Sequence, residues 1–181
     1  MKALVRWSLA VMLPVGRARA SALSTPDGGH RFYSNEAAAA EPLQRIADFG
    51  PNPTGTKMYL YVPANVSTSP GAPAVVVALH YCGGTAQAYY TGTPYARLAD
   101  QKGFLVVYPE SPYEGTCWDV SSRAALTHND DGSDTAAIAA MVTYAMDNYG
   151  ADAKRVFVTG SSSGAMMTAS LLSVAKSEIQ P

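Results

Sequence analysis

Four short apolar runs punctuate the chain, and segments of helical spacing separate the later ones. Met58 to Val62 (MYLYV) reads as a strand, preceded by turn chemistry at Pro51-Asn52-Pro53-Thr54-Gly55 and closed by Pro63. Ala74 to Leu79 (AVVVAL) is a continuous apolar run between Pro73 and His80, with Gly83-Gly84 beyond it. A run apolar on both faces suits a central parallel strand. Phe104 to Tyr108 (FLVVY), closed by Pro109, and Arg155 to Thr159 (RVFVT) have the same character. Between them, Thr93-Pro94 predicts a helix with threonine at the N-cap and proline at N1, stopped by Gly103. Ser133 predicts a second helix start, with Asp134 favourable to the dipole in its first turn. Ile138, Met141, Val142 and Ala145 follow at helical spacing, and Gly150 ends that element. Ala165 to Lys176 is the last predicted helix. Strands alternating with helices give an α/β class with a parallel sheet covered on both faces.

The remaining N-terminal sequence does not join this pattern. Lys2 and Arg6 precede a short apolar run from Trp7 to Val15, and Ala18-Arg19-Ala20 has the form of a cleavage site. Residues 1–20 therefore read as an export leader, with an amphipathic helix broken by Pro14 and Gly16 as the alternative. Residues 21–42 read as a linker or pro-segment and 43–181 as the folded part. No apolar stretch is long enough to span a bilayer. The 181 residues allow one sizeable core. With 13 basic and 14 acidic side chains, net charge is -1, which gives no footprint for nucleic acid or an anionic membrane. Eleven tyrosines against four phenylalanines suit a surface that faces sugars, and suit ordinary strands as well.

Export changes the reading of two further features. Asn65-Val66-Ser67 is a glycosylation sequon, with Asn65 the acceptor. Cys82 and Cys117 are the two cysteines, expected to form one disulfide in an oxidising compartment, or else to be two buried thiols.

The chemistry concentrates at Gly160-Ser161-Ser162-Ser163-Gly164. A serine nucleophile has to be raised on a sharp strand-to-helix turn, and that turn needs small residues two before and two after it. Ser162 has glycine at both places; Ser161 and Ser163 do not. RVFVT before it and AMMTASLLSVAK after it supply the strand and the helix. Acyl transfer also requires two N–H donors for the developing oxyanion. One is the backbone of the following residue, Ser163, and the other lies on the loop after an earlier strand. His80-Tyr81-Cys82-Gly83-Gly84 stands at that place, so the second donor is the backbone of Cys82 or Tyr81. His80 reads as shaping that loop, with a catalytic base as the other role.

LQRIADFGPNPTGTKMYLYVPANV, HYCGGTA, YPESPYEGTCWDVSS and GSSSGAMMT resemble fungal acetylxylan esterases of carbohydrate esterase family 1, relatives of feruloyl esterases and polyhydroxybutyrate depolymerases. The likeness runs from about Leu43 to about Leu172. It implies an α/β-hydrolase fold, a Ser-His-Asp triad with Ser162 as nucleophile, no metal or organic cofactor, and removal of acetyl groups from xylan. The implied partner is acetylated xylan or a related plant cell-wall polysaccharide, met outside the cell by a monomer. By the same resemblance Trp118 lies at the substrate cleft; plain packing is its other reading.

The chain departs from the family order of Ser, then acid, then His. After Ser162 it has no histidine, and its one acid is Glu178. His30 lies in the linker and His128 in a loop before the serine. The expectation is an N-terminal part of an α/β-hydrolase with its C-terminal strands missing and RVFVT left as an open edge. Feruloyl or polyhydroxybutyrate esters are alternative substrates, and an inactive fragment that at most binds polysaccharide is the non-enzymatic alternative.

Overall fold

The computed structural model describes residues 7–9, 42–66, 71–126 and 132–177. The rest of the expected leader and of the linker with His30, together with Ser67 of the sequon, His128 and Glu178, lies outside the described residues. Six strands form one sheet: β1 (Trp7–Leu9), β2 (Gln44–Ile46), β3 (Lys57–Tyr61), β4 (Val75–Leu79), β5 (Leu105–Glu110) and β6 (Val156–Gly160). Their spatial order is β1-β6-β4-β5-β3-β2. The helices are α1 (Ala86–Gly92), α2 (Tyr95–Lys102), α3 (Arg123–Leu126), α4 (Asp134–Tyr149) and α5 (Ser163–Ser177).

Alternation of side chains across the pleat divides the core in two. Met58, Leu60, Val75, Val77, Leu79, Leu105 and Val107 point to the face covered by Ile138, Met141 and Val142 of α4 and Met167 and Leu171 of α5. Tyr61, Ala78, Val106 and Tyr108 point to the other face, under Ala86 and Tyr89 of α1 and Ala96 and Ala99 of α2. The predicted face of α4 is thus the buried one, and Ser133 caps it by accepting from the Ala136 N–H. Helix α2 begins one residue later than predicted, with Pro94 at the N-cap, because Thr93 already serves as the C-cap of α1. The sequence reading missed α1, a short Tyr-rich helix capped by Thr85.

Two corrections concern the sheet. Strands β1, β6, β4 and β5 are parallel, but β3 runs antiparallel to β5, and β2 antiparallel to β3. Among the described residues no helix lies between β3 and β4 to return the chain for a parallel neighbour, and β3 pairs with β5 instead. The second correction is the RVFVT edge. It is not open: Trp7, Ser8 and Leu9 pair in parallel with Val156, Phe157 and Val158. A three-residue segment from the expected leader supplies backbone partners for β6 and makes it an inner strand.

An open apolar edge is a template for association. Deleting residues 1–20 should therefore speed amide exchange in Val156–Gly160 by at least tenfold and increase binding of hydrophobic dyes. Exchange rates unchanged by the deletion would show that the β1 pairing contributes nothing to β6.

Candidate active site

Strand β6 ends at Gly160 and α5 begins at Ser163, so the chain reverses within two residues. Ser162 takes φ +52°, a left-handed conformation that L side chains adopt at a cost of about 1–3 kcal/mol. The glycines make the turn possible by close approach. A Cβ on Gly160 would lie 2.4 Å from the Gly164 carbonyl carbon, and one on Gly164 2.4 Å from the Leu79 oxygen. Helix α5 thereby rests its first turn on the end of β4. The Ser161 N–H donates to the Leu79 carbonyl at 3.2 Å, and Tyr89 of α1 meets the Ser161 hydroxyl at 3.1 Å. Ser162 itself is exposed.

The loop after β4 is held from several sides. A carbonyl can only accept, so the 2.8 Å contact of His80 Nδ1 with the Tyr81 oxygen fixes the proton on Nδ1. Nε2 is then bare and accepts the Ser111 N–H at 3.1 Å. Burial lowers the His80 pKa, against the smaller opposing effects of the Tyr81 carbonyl and Glu110. The ring is neutral, fully buried and engaged at both nitrogens, so it supports the loop and is not placed to accept a proton from Ser162. Among the described residues it is the only histidine.

Peptide planarity then orients two amides. The Tyr81 carbonyl faces inward, receiving both His80 Nδ1–H and the Gly84 N–H, which turns the Cys82 N–H outward. The His80 carbonyl faces the elbow, since it would meet a Gly164 Cβ at 2.6 Å, which turns the Tyr81 N–H away from it. Among the described residues, neither the Cys82 nor the Ser163 amide donates to a protein acceptor.

Cys82 and Cys117 form a disulfide with Cα atoms 4.1 Å apart. It joins the loop after β4 to the loop after β5. The Gly83 N–H to Gly115 carbonyl bond (2.8 Å) and the Thr116 hydroxyl to Gly84 carbonyl bond (2.8 Å) join the same two loops. Trp118 lies beneath them, 4 % exposed, its ring 5.0 Å from His80 at a tilt of 37° and its Nε1–H donating to the His80 carbonyl at 2.9 Å. The Trp118 indole is thus packed under the loop. Asn65 donates to the Asp100 carbonyl at 2.8 Å, away from the elbow at the end of α2.

Two carboxylates escaped the sequence reading as site supports. Asp134 is buried in the first turn of α4 and accepts from the Thr56 hydroxyl, the Tyr113 hydroxyl and the Asp119 N–H, each at 3.2 Å. Burial pushes its carboxyl up despite those donors. For Glu110 burial acts in the same direction, but Lys57 at 2.8 Å and the Ala86 N–H at 3.1 Å hold it below the usual range. The only sequence signal for either was an acidic residue beside a strand end or a cap. A cavity of about 230 Å³ opens between α2 and β6, lined by residues such as Leu98, Phe104 and Phe157; none of its walls comes from the elbow. Among the described residues, no group of three or more His, Cys, Asp or Glu side chains could hold a metal, and no helix is long and apolar enough to cross a membrane.

Known proteins resemble this chain in sequence and in fold. Residues 57–179 match the family model described as Esterase PHB depolymerase. The chain is 62 % identical over 134 residues to acetylxylan esterase A of Talaromyces purpureogenus, covering 74 % of this chain and 34 % of that one. It is 56 % identical over 139 residues to acetylxylan esterase A of Aspergillus ficuum, covering 77 % and 45 %. Among solved structures it superposes on an acetyl xylan esterase from Aspergillus awamori with a TM-score of 0.68 and 56 % identity, over 72 % of this chain and 46 % of that one. The chain spans less than half the length of these relatives.

Two measurements check this geometry. Reducing the disulfide frees a 35-residue separation, which the chain-entropy model values at about 4 kcal/mol, so the denaturation midpoint should drop accordingly. An unchanged midpoint would show that the hydrogen bonds alone hold the two loops. For His80 the folded pKa lies below the ordinary value of 6.5. Its contribution is complete above that value and is lost as pH falls below it, because the unfolded chain protonates first. Imidazole nitrogen shifts should report a neutral Nδ1–H tautomer at pH 6.5; a mostly protonated ring there would contradict the assignment.

Proposed function

The chain belongs to the Esterase PHB depolymerase family, and on that premise we propose that it is the nucleophile-bearing part of a serine carboxylic-ester hydrolase that removes acetyl groups from xylan. The observation that carries this reading is Ser162, strained at φ +52° between two glycines that admit no Cβ. The Ser162 hydroxyl attacks the acetyl carbonyl, and the tetrahedral oxyanion forms against the N–H groups of Ser163 and Cys82. Each donor is worth about 3–4 kcal/mol in such sites. The sugar hydroxyl leaves, and water cleaves the acyl-enzyme to acetate and free Ser162. The attack requires a base to take the serine proton and an acid to orient that base. His80 does not fill the role, since both its nitrogens are taken. The names of the relatives favour acetyl groups on xylan, while the family description keeps polyhydroxybutyrate esters as a second substrate class. Export with cleavage after residue 20, which would take β1 away from β6, and a glycan on Asn65 belong to the same proposal, supported by the leader pattern and the sequon; a monomeric state completes it.

Two experiments test it. In a protein that joins this segment to a positioned His and acid, Ser162→Ala should lower kcat on acetylated xylan by about four to six orders of magnitude. Near-normal turnover would move the nucleophile elsewhere. The 181-residue polypeptide alone should cleave 4-nitrophenyl acetate no faster than its own Ser162→Ala variant. Turnover that depends on Ser162 would reveal a base within this sequence, with His128 the first place to look.

A further inference from the structure

Among the described residues, large hydrophobic side chains are exposed at three positions: Tyr81 (43 %), Tyr113 (38 %) and Met166 (55 %). Tyr81 and Met166 lie on the two segments that meet at the elbow, and Tyr113 on the loop that the disulfide joins to the first of them. Tyr81 follows His80 on the loop carrying Cys82; Tyr113 is on the loop carrying Cys117; Met166 is in the first turn of α5, donating its N–H to the Ser162 carbonyl at 3.1 Å. Other large apolar groups of the described surface are half-buried, as Leu98, Phe104 and Phe157 are around the cavity between α2 and β6, and exposed apolar groups gathered near one site are a feature of binding surfaces.

The Tyr81 backbone and the Tyr113 ring are also held in place. The Tyr81 carbonyl is fixed by His80 and Gly84. The Tyr113 hydroxyl donates to buried Asp134 at 3.2 Å, which tethers the far end of its ring. The Tyr113 N–H contacts the Ser111 hydroxyl at 3.4 Å, and that hydroxyl in turn donates to the Cys117 carbonyl at 2.8 Å. The disulfide and two hydrogen bonds lock one tyrosine loop to the other. A ring tethered like that of Tyr113 loses little entropy when a partner stacks on it.

We infer that Tyr81 and Tyr113 form a stacking platform for the pyranose rings of a polysaccharide main chain beside Ser162. The inference deepens the esterase reading and rests on it for the identity of the polymer, xylan. A sugar ring offers C–H groups on its faces and hydroxyls at its rim, which match an aromatic face and a surrounding of water. The platform holds the chain whether or not it bears an ester, while Ser162 acts on the acyl group that projects from it. Trp118 does not share this role, because its indole is buried under His80.

The test is native electrophoresis of the 181-residue chain through gels containing soluble deacetylated xylan, which has no bond for Ser162 to cleave. The chain should be retarded. Tyr81→Ala and Tyr113→Ala should each weaken retardation by about tenfold, the value of one aromatic contact of this kind. Tyr113→Phe, which keeps the ring and loses the bond to Asp134, should stay within about threefold of the unmodified chain. Ser162→Ala should bind as well as the unmodified chain. Absence of retardation, retardation that both alanine variants leave unchanged, or a phenylalanine variant as weak as the alanine one would overturn the platform. Thermal midpoints of the variants separate a lost contact from a lost fold. Failure of ester cleavage in the Ser162 experiments, with tyrosine-dependent retardation intact, would sink the esterase reading alone.

Discussion

The backbone contact between the end of β4 and the first turn of α5 is the constraint on which the rest depends. Two glycines bring helix and strand so close that a methyl group at either would overlap main-chain atoms at 2.4 Å. Such an overlap cannot be relieved by a rotamer change, because both partners are backbone. The approach puts Ser162 in a left-handed conformation and lifts it to an exposed position at the end of the sheet. It also presses the elbow against the Leu79 and His80 carbonyls, which places the loop after β4 beside the serine. Strain of about 1–3 kcal/mol at one residue is small beside the burial of Leu79, Val158, Met167 and Leu171, which lie around this junction without exposure above 1 %.

The second level of organisation is polar and lies under the loops. His80 has the volume of a core residue and two nitrogens of opposite character, one donating to Tyr81 and one accepting from Ser111. A protonated ring would have two donors and no acceptor, leaving the Ser111 N–H facing another N–H. Keeping His80 neutral therefore maintains the loop geometry, and burial supplies that neutrality. Trp118 closes the arrangement from below, using its one donor on the His80 carbonyl. The disulfide then joins what these bonds have already brought together.

Sequence made the elbow legible because its requirements are steric and local: glycine at two fixed offsets, an apolar run before and a helical pattern after. The inner strands were legible for a similar reason, since runs such as AVVVAL can be satisfied only between two covered faces. Pairing direction was not, because the alternation in MYLYV is the same whether β3 lies parallel or antiparallel to β5. The support from Asp134 was hidden behind its local role: an acid at a helix start explains itself, and its bonds to Thr56 and Tyr113 come from distant segments. Trp118 had two readings open, and nothing in the sequence pointed to the contact of its indole with His80. Strand β1 was invisible because a short apolar run beside basic residues satisfies the export pattern before any fold is considered.

That overlap of signals has a physical origin. A leader and an edge strand both need a short apolar segment without internal hydrogen bonds, and Trp7–Leu9 meets both descriptions. What distinguishes them is the partner. Strand β6 offers a ladder, and β1 accepts it in the register Trp7 to Val156. The same strand carries the elbow at its C-terminal end, so whatever lies against β6 also borders the segment that sets Ser162. The contacts with β4 on one side and with β1 on the other thus divide the labour: the first defines the geometry of the serine, and the second closes the edge of the strand that carries it.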